Sequence, residues 1–512
     1  MGRVKSAARN IAFGYVGQLA TAIMSFILRR LFINYLSENL LGVNSLYSNI
    51  LSILNMAELG IGTALNFSLY GPVARGEKEK IKSYMQMYRK AYYIIALVVA
   101  VVGIAFTPFL GFFAGHPADI TPRDLVLYYY IFLFNTVSSY FVAYKYSLIN
   151  AEQKNYVQTN IITITKIITV AIQMAVVVIT KNFYLFLLTD AFVQLIQKIF
   201  VSRFLDKMYP YLKEKNVEKL SKEESDTVWN KTKALVFHKV GDVARLQTDA
   251  IIISSLIEVA MAGVVDNYNM IISTVSNFVN IIFNSVISSF GNLIATESKE
   301  KQFNMFKIYR FFASWVYGYS CVGFMVLITP LIRIWLGDAW ILAPAAVYCI
   351  LTDYYFKGDR IVLSNFKTAA GVFEQDKYLA LIQGAVNLVL SIWLVQTPLG
   401  ITGVYIGTIV SGLIANITKP IIIYRACFDK NAVEYFVDSA KYLVSLIAVL
   451  LTCNLISTRV LANLNILTFI LMGIIITVIF NGVYFILYGR SEEFRYLFGK
   501  IKERANGEER AE

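Results

Sequence analysis

The chain has 512 residues, of which 57% are hydrophobic and 16% charged, and it carries a net charge of +13. A soluble globular chain holds about 25% charged residues, so a water-soluble fold is excluded, and the recurrent apolar runs from Ile11 to Leu487 describe a polytopic helical membrane protein. The two histidines, His116 and His238, cannot form a metal cluster, and Walker A, HExxH and GxSxG patterns are missing. Neither an ATPase nor a hydrolase is indicated. No enzyme, no cofactor and no nucleic-acid partner is expected.

The basic start MGRVKSAARN precedes an apolar segment with no clear small-residue cleavage site, which reads as a retained first helix. Fourteen spans follow in chain order: 10–36, 41–70, 86–114, 123–150, 156–180, 182–204, 229–257, 262–293, 305–336, 341–370, 378–397, 400–424, 436–457 and 463–489. Several exceed the ~20 residues that crossing needs, so tilted or protruding helices are expected. Cys321, Cys349, Cys427 and Cys453 show no paired spacing and are expected to be free.

Basic residues on or bordering the odd-numbered loops are confined to Arg123, Lys181, Arg333 and Arg459, whereas the termini and even-numbered loops are rich in Lys and Arg. This asymmetry predicts a cytoplasmic-membrane protein with both termini in the cytoplasm. It also accounts for the positive net charge without a nucleic-acid partner.

The chain resembles itself at an offset of 221 residues: Gly42, Val43, Tyr47 and Ile50 fall on Gly263, Val264, Tyr268 and Ile271. Lys78-Glu79-Lys80 falls on Lys299-Glu300-Lys301, and Tyr88-Arg89 on Tyr309-Arg310. At 222 residues, Thr107-Pro108, Gly115, Glu152-Gln153 and Tyr156 fall on Thr329-Pro330, Gly337, Glu374-Gln375 and Tyr378. The expected fold is therefore all-α, with about 14 transmembrane helices in two parallel six-helix repeats plus two C-terminal helices. The divisions are an N-terminal lobe at 1–204, a charged cytoplasmic linker at 205–228 and a C-terminal lobe at 229–430. Two additional helices occupy 431–490, and a charged cytoplasmic tail occupies 491–512. Parallel repeats are a transporter architecture with the substrate site at the repeat interface.

Positions three and four apart share a helix face. In the first span, Asn10, Gly14, Gln18, Thr21, Ser25 and Arg29 form one polar stripe, with Arg30 turned away. The second span carries Asn44, Ser48, Asn55 and Glu58; the seventh carries His238, Asp242, Arg245 and Asp249 beside Lys239. The eighth carries Asp266, Asn269, Ser273, Asn277, Asn280, Asn284 and Ser288, a stripe too long for a lipid-facing surface. The tenth carries Asp353, Lys357, Arg360 and Ser364, where internal pairing of Asp353 with Lys357 is the structural alternative to a cavity role. Candidate substrate contacts are Gln18, Ser25, Arg29, Asn55, Lys239, Arg245, Asn269, Asn277, Asn284, Lys357 and Arg360. Candidate ion carriers are Glu58, Asp242 and Asp249.

The segment LRRLFINYLSENLLGVNSLYSNILSILNMAELGIGTALNFSLYGPVARGEKEKI, with QTDAIIIS and SSFGNLIATESKEK in the second repeat, resembles the polysaccharide (Wzx-type) flippases. These belong to the multidrug/oligosaccharidyl-lipid/polysaccharide exporter superfamily. The resemblance implies a two-lobed alternating-access transporter. Its cargo would be polyprenyl-pyrophosphate-linked oligosaccharide, moved from the inner to the outer leaflet for capsule, exopolysaccharide or O-antigen synthesis. It implies basic residues in a central cavity, coupling to H+ or Na+, and partnership with the polymerase and glycosyltransferases of the same pathway. A lipid II flippase or a multidrug/cation antiporter of the same superfamily stays open as an alternative. The antiporter would want a mainly acidic cavity.

Overall fold

In the computed structural model of the protein, described over residues 2–152, 154–214, 217–226, 228–229, 247–372, 374–376 and 378–505, every regular element is a helix. Ten helices among the described residues are long and apolar enough to cross a membrane. The chain forms two compact units, Met1–Gly263 and Val264–Glu512.

The first unit holds α1 (Gly2–Tyr35), α2 (Glu38–Leu54), α3 (Met56–Arg75), α4 (Lys78–Phe106), α5 (Leu110–Ala114), α6 (Pro122–Ala151), α7 (Asn155–Thr180), α8 (Phe183–Met208) and α9 (Thr248–Leu256). α1 packs along α7 so closely that a Cβ on Gly17 would lie 2.6 Å from Thr163 Cγ2. The core is rich in buried tyrosines, and two of their hydroxyls find backbone acceptors. Tyr47 donates to the Leu125 carbonyl at 3.0 Å and Tyr129 to the Gly103 carbonyl at 3.0 Å. Hydrocarbon offers no alternative partner for such groups, which favours pairing inside the bundle. Ser254 on α9 donates to the Phe113 carbonyl at 2.6 Å, tying that helix to the rest of the unit.

α10 (Val259–Thr296) begins in the first unit and continues into the second. The second unit adds α11 (Lys299–Trp335), α12 (Pro344–Asp359), α13 (Ile361–Ala370), α14 (Leu379–Val395), α15 (Ile401–Phe428), α16 (Val433–Val460), α17 (Ile466–Tyr488) and α18 (Glu492–Ala505). Its core is equally aromatic, with Phe306, Phe366, Tyr424 and Phe428 in mutual edge and tilted contacts. The repeat is visible in the element boundaries. α4 and α11 start at Lys78 and Lys299, which are 221 residues apart, and α6 and α12 start at Pro122 and Pro344, which are 222 apart.

Among the described residues three predicted spans are interrupted, the third span by a 3-10 turn at Thr107–Phe109 between α4 and α5. The second breaks at Asn55 into α2 and α3, and the tenth breaks at Arg360 into α12 and α13. A break frees carbonyls that must find donors elsewhere. At the Arg360 break they do: Asn416 Nδ2 donates to the Phe356 carbonyl at 3.3 Å, and Tyr435 OH to the Asp359 carbonyl at 3.2 Å. Of the seventh span, 229–257, residue 229 and the part from 247 on, which holds α9, lie among the described residues. All four cysteines are free, and Cys321, Cys427 and Cys453 are buried.

Candidate functional site

The first polar stripe runs along α1. Gln18, Thr21, Ser25 and Arg29 are half-buried, and Thr21 Oγ1 donates to the Gly17 carbonyl at 2.8 Å. A second face of the same helix carries Val16, Leu19, Ile23 and Ile27, 49–66% exposed. Arg30 continues that exposed face, three residues on from Ile27. The two adjacent arginines thus occupy different environments: Arg29 ends the partly covered polar stripe, and Arg30 ends the open apolar one.

At the α2–α3 junction, Asn55 Oδ1 accepts a hydrogen bond from Tyr140 OH. Glu58 lies one turn on, in the first turn of α3, and is half-buried. Asp249, the third acidic candidate, is half-buried in the first turn of α9. Lys239, Asp242 and Arg245 lie outside the described residues, as does His238.

The long stripe of the eighth span sits on α10, and the helix divides it. Asn269, Ser273, Asn277 and Asn284 are exposed. Asp266 is half-buried, and Asn280, also half-buried, turns to its own bundle, where its Oδ1 accepts from Tyr317 OH at 2.8 Å. The accessible face therefore presents carboxamides and a hydroxyl at steps of four, four and seven. Each carboxamide offers both donors and an acceptor, so the face suits neutral polyhydroxylated groups and bears no formal charge.

The tenth-span candidates are engaged within the second unit. Lys357 pairs with Asp353 at 2.5 Å, one turn away, and its side chain is 40% exposed. Arg360 is 7% exposed; its Nη1 donates to the Gly412 carbonyl at 3.1 Å and to Asn416 Oδ1. This guanidinium pins the α12–α13 break to α15.

Two buried polar clusters lie outside the residues that the sequence singled out. In the first unit, Lys198 on α8 is 7% exposed and donates to Asn135 O and Oδ1 at 2.7 Å each and to Ser138 Oγ at 2.8 Å, all on α6. Asp190 Oδ2 accepts from Asn135 Nδ2 at 2.8 Å and from Gln194 Nε2 at 3.0 Å. The four-residue steps Asp190, Gln194, Lys198 are a polar stripe of the kind that helical spacing makes readable. In the second unit, Arg310 on α11 is 3% exposed and donates to the Tyr435 carbonyl at 2.7 Å and to Ser439 Oγ at 2.6 Å. Its guanidinium lies 3.6 Å from the Tyr435 ring centroid and 3.7 Å from both Asp359 and Asp438. Arg310 is the repeat partner of Arg89, which is exposed; the matched pair is visible in the sequence, its unequal burial is not.

No protein-family model matches the chain, and no curated protein is similar to it in sequence. Its fold is matched by solved structures. A structure described as lipid II flippase MurJ, inward closed conformation, aligns with a TM-score of 0.65 at 16% identity, covering 94% of this chain and 100% of that one. An inward-facing multidrug resistance MATE family transporter of the MOP superfamily aligns with a TM-score of 0.60 at 12% identity, over 79% of this chain and 96% of that one. A point mutant of the Vibrio cholerae MATE transporter VcmN aligns at 0.58 and 15% identity, over 85% and 100%. The chain has the fold of MOP-superfamily transporters. At these identities the likeness is one of fold.

Proposed function

We propose that the chain is a flippase that moves polyprenyl-pyrophosphate-linked oligosaccharide repeat units from the inner to the outer leaflet of the cytoplasmic membrane by alternating access, for capsule, exopolysaccharide or O-antigen synthesis. The observation that carries this reading is the exposed face of α10, where Asn269, Ser273, Asn277 and Asn284 lie in line on a helix long and apolar enough to cross the membrane. Uncharged hydrogen-bonding groups in such a row serve sugar hydroxyls, whereas a lipid-facing helix would not tolerate them. Gln18 and Ser25 supply the same chemistry on α1, and Asn55 does so at the α2–α3 junction.

A pyrophosphate cannot cross hydrocarbon unaided. Arg29 is the cation we assign to receive it, because a guanidinium stays charged and binds phosphate oxygens bidentately. Lys239, Arg245 and Lys357 are further candidates. Arg360 is retained as a candidate of lower rank, since its Nη1 already serves Gly412 and Asn416. Glu58, Asp242 and Asp249 are the acids assigned to H+ or Na+ coupling.

A lipid II flippase is the second reading, favoured by the greater share of this chain that the MurJ structure covers, 94% against 79% and 85% for the two multidrug transporters. Deletion followed by lipid analysis separates the two. Accumulation of cytoplasm-facing polyprenyl-linked oligosaccharide supports the first reading. Accumulation of lipid II supports the second, and an unchanged lipid profile overturns both.

A further inference from the structure

The last turns of α15, the first turn of α16 and the loop between them enclose a groove of about 640 Å³, within the range of small-molecule sites. Its walls are apolar: Ile421, Val433 and Phe436 line it, with Ile421 50% and Val433 62% exposed. Arg425 and Lys430 line the same groove. Both helices are long and apolar enough to cross a membrane, so a groove between the end of one and the start of the next lies where hydrocarbon gives way to headgroups.

The charges at this mouth do not cancel. Asp429 also lines the groove, but its carboxylate is paired with Lys299. Lys430 stands over the Phe303 ring, 4.4 Å from its centroid, and that contact leaves its charge unneutralised. Arg425 has no hydrogen-bond or ion-pair partner among the described residues. The loop itself is fixed. Asp429 takes the left-handed conformation (φ 55°), and Asn431 Oδ1 accepts from the Val433 amide at 3.1 Å.

We propose that this groove is a binding site for an anionic phospholipid, with the phosphate held by Arg425 and Lys430 and an acyl chain laid against Ile421, Val433 and Phe436. A guanidinium matches phosphate oxygens bidentately, and basic residues flanking a membrane span attract acidic lipids. The apolar walls and unneutralised cations together exclude a soluble anion, which would leave the walls uncovered, and a zwitterionic lipid, whose ammonium group would face two cations. The assignment is independent of the transported substrate.

The test is native mass spectrometry of the full chain in a neutral maltoside detergent, with dioleoyl-phosphatidylglycerol and dioleoyl-phosphatidylcholine as probes. Phosphatidylglycerol is expected to be retained preferentially. Arg425→Gln should lower that retention about fivefold, and Arg425→Gln/Lys430→Gln further, with phosphatidylcholine adducts unchanged. Arg459→Gln, an exposed cation at the other end of α16, should behave as the unmodified protein. Equal retention of the two lipids by the unmodified protein, or undiminished phosphatidylglycerol binding by the double variant, would overturn the proposal. So would displacement of the lipid by excess glycerol 3-phosphate, which would mark a site for soluble anions.

Discussion

Adjacent residues on a helix point about 100° apart, and in this chain that angle separates two roles. Arg29 ends the half-covered stripe of Gln18, Thr21 and Ser25, while Arg30 continues the exposed line through Ile23 and Ile27. Arg29→Ala should reduce export about tenfold or more at normal protein level, since hydrogen bonds to charged groups are worth about 1.5–3 kcal/mol. Arg29→Lys should recover part of the loss by keeping the charge without the fork. Arg30→Ala should be mild, because an arginine on a lipid-facing surface snorkels to the headgroups. Complementation of a deletion strain, read by surface glycan, checks all three; a more damaging Arg30→Ala would refute the phase.

At the same scale, Arg310 supports a stability prediction. Its guanidinium is buried against Asp359, Asp438, Ser439 and Tyr435. Arg310→Met would leave Asp359, 9% exposed, without its cation and with the Tyr435 and Ser439 hydroxyls as its remaining partners. Removing one partner of a buried pair costs about 3–5 kcal/mol, so the melting temperature in detergent should fall clearly. Arg89→Met, at the exposed repeat-equivalent position, should leave it nearly unchanged.

At the scale of elements, the two units solve one packing problem in opposite directions. In the first, the buried cation Lys198 comes from α8 and reaches Asn135 and Ser138 on α6. In the second, the buried cation Arg360 comes from the α12–α13 break and reaches Gly412 and Asn416 on α15. At the 222-residue offset Ser138 falls on Arg360, Asp190 on Gly412 and Gln194 on Asn416. The seam between the helices is thus retained in both repeats while the charge has changed sides, which a buried polar seam allows provided every donor finds an acceptor.

α10 carries the element-scale test of transport. Asn277→Leu and Asn284→Leu should each impair export while the protein stays folded and inserted, because both side chains are exposed and leave no cavity. Phe283 gives the contrasting result. It is 1% exposed and lies beside Phe312 and Tyr317, so Phe283→Ala should cost about 3–5 kcal/mol of stability. Export assays paired with thermal melts distinguish the two kinds of change; equal tolerance at Asn277 and Asn284 would remove the stripe from the transport path.

For the whole molecule, the charge asymmetry makes a claim about sidedness that labelling can check. Cysteines placed at Glu38 and Asp338 should react with an impermeant thiol reagent from outside intact cells, and one at Lys299 should not. None of the three positions is buried, so burial would not mask the result. Labelling at Lys299 would reverse the proposed orientation.

The sequence by itself determined the class and most helix positions; it predicts fourteen spans, and ten helices among the described residues are long and apolar enough to cross a membrane. Apolar length dictates helices in hydrocarbon, and most predicted spans match their helices within a few residues, as 156–180 matches Asn155–Thr180 and 182–204 matches Phe183–Met208. It also determined the repeat, which reappears as α4 and α11 starting at equivalent lysines. Helical phase was legible in the same way, because the angle between neighbouring side chains is a local property. Only the tertiary structure decided which polar residues are open and which are consumed. Asn277 and Asn280 look alike in a stripe, yet one is exposed and the other accepts from Tyr317. Arg360 and Arg310 carry the charge a cavity would want, but Arg360 is turned onto α15 and Arg310 onto α16. Such assignments depend on partners 37 to 125 residues away in the chain, and no periodicity within one helix encodes them. A buried charge must be satisfied by whichever element packs against it, and that choice is made by the fold.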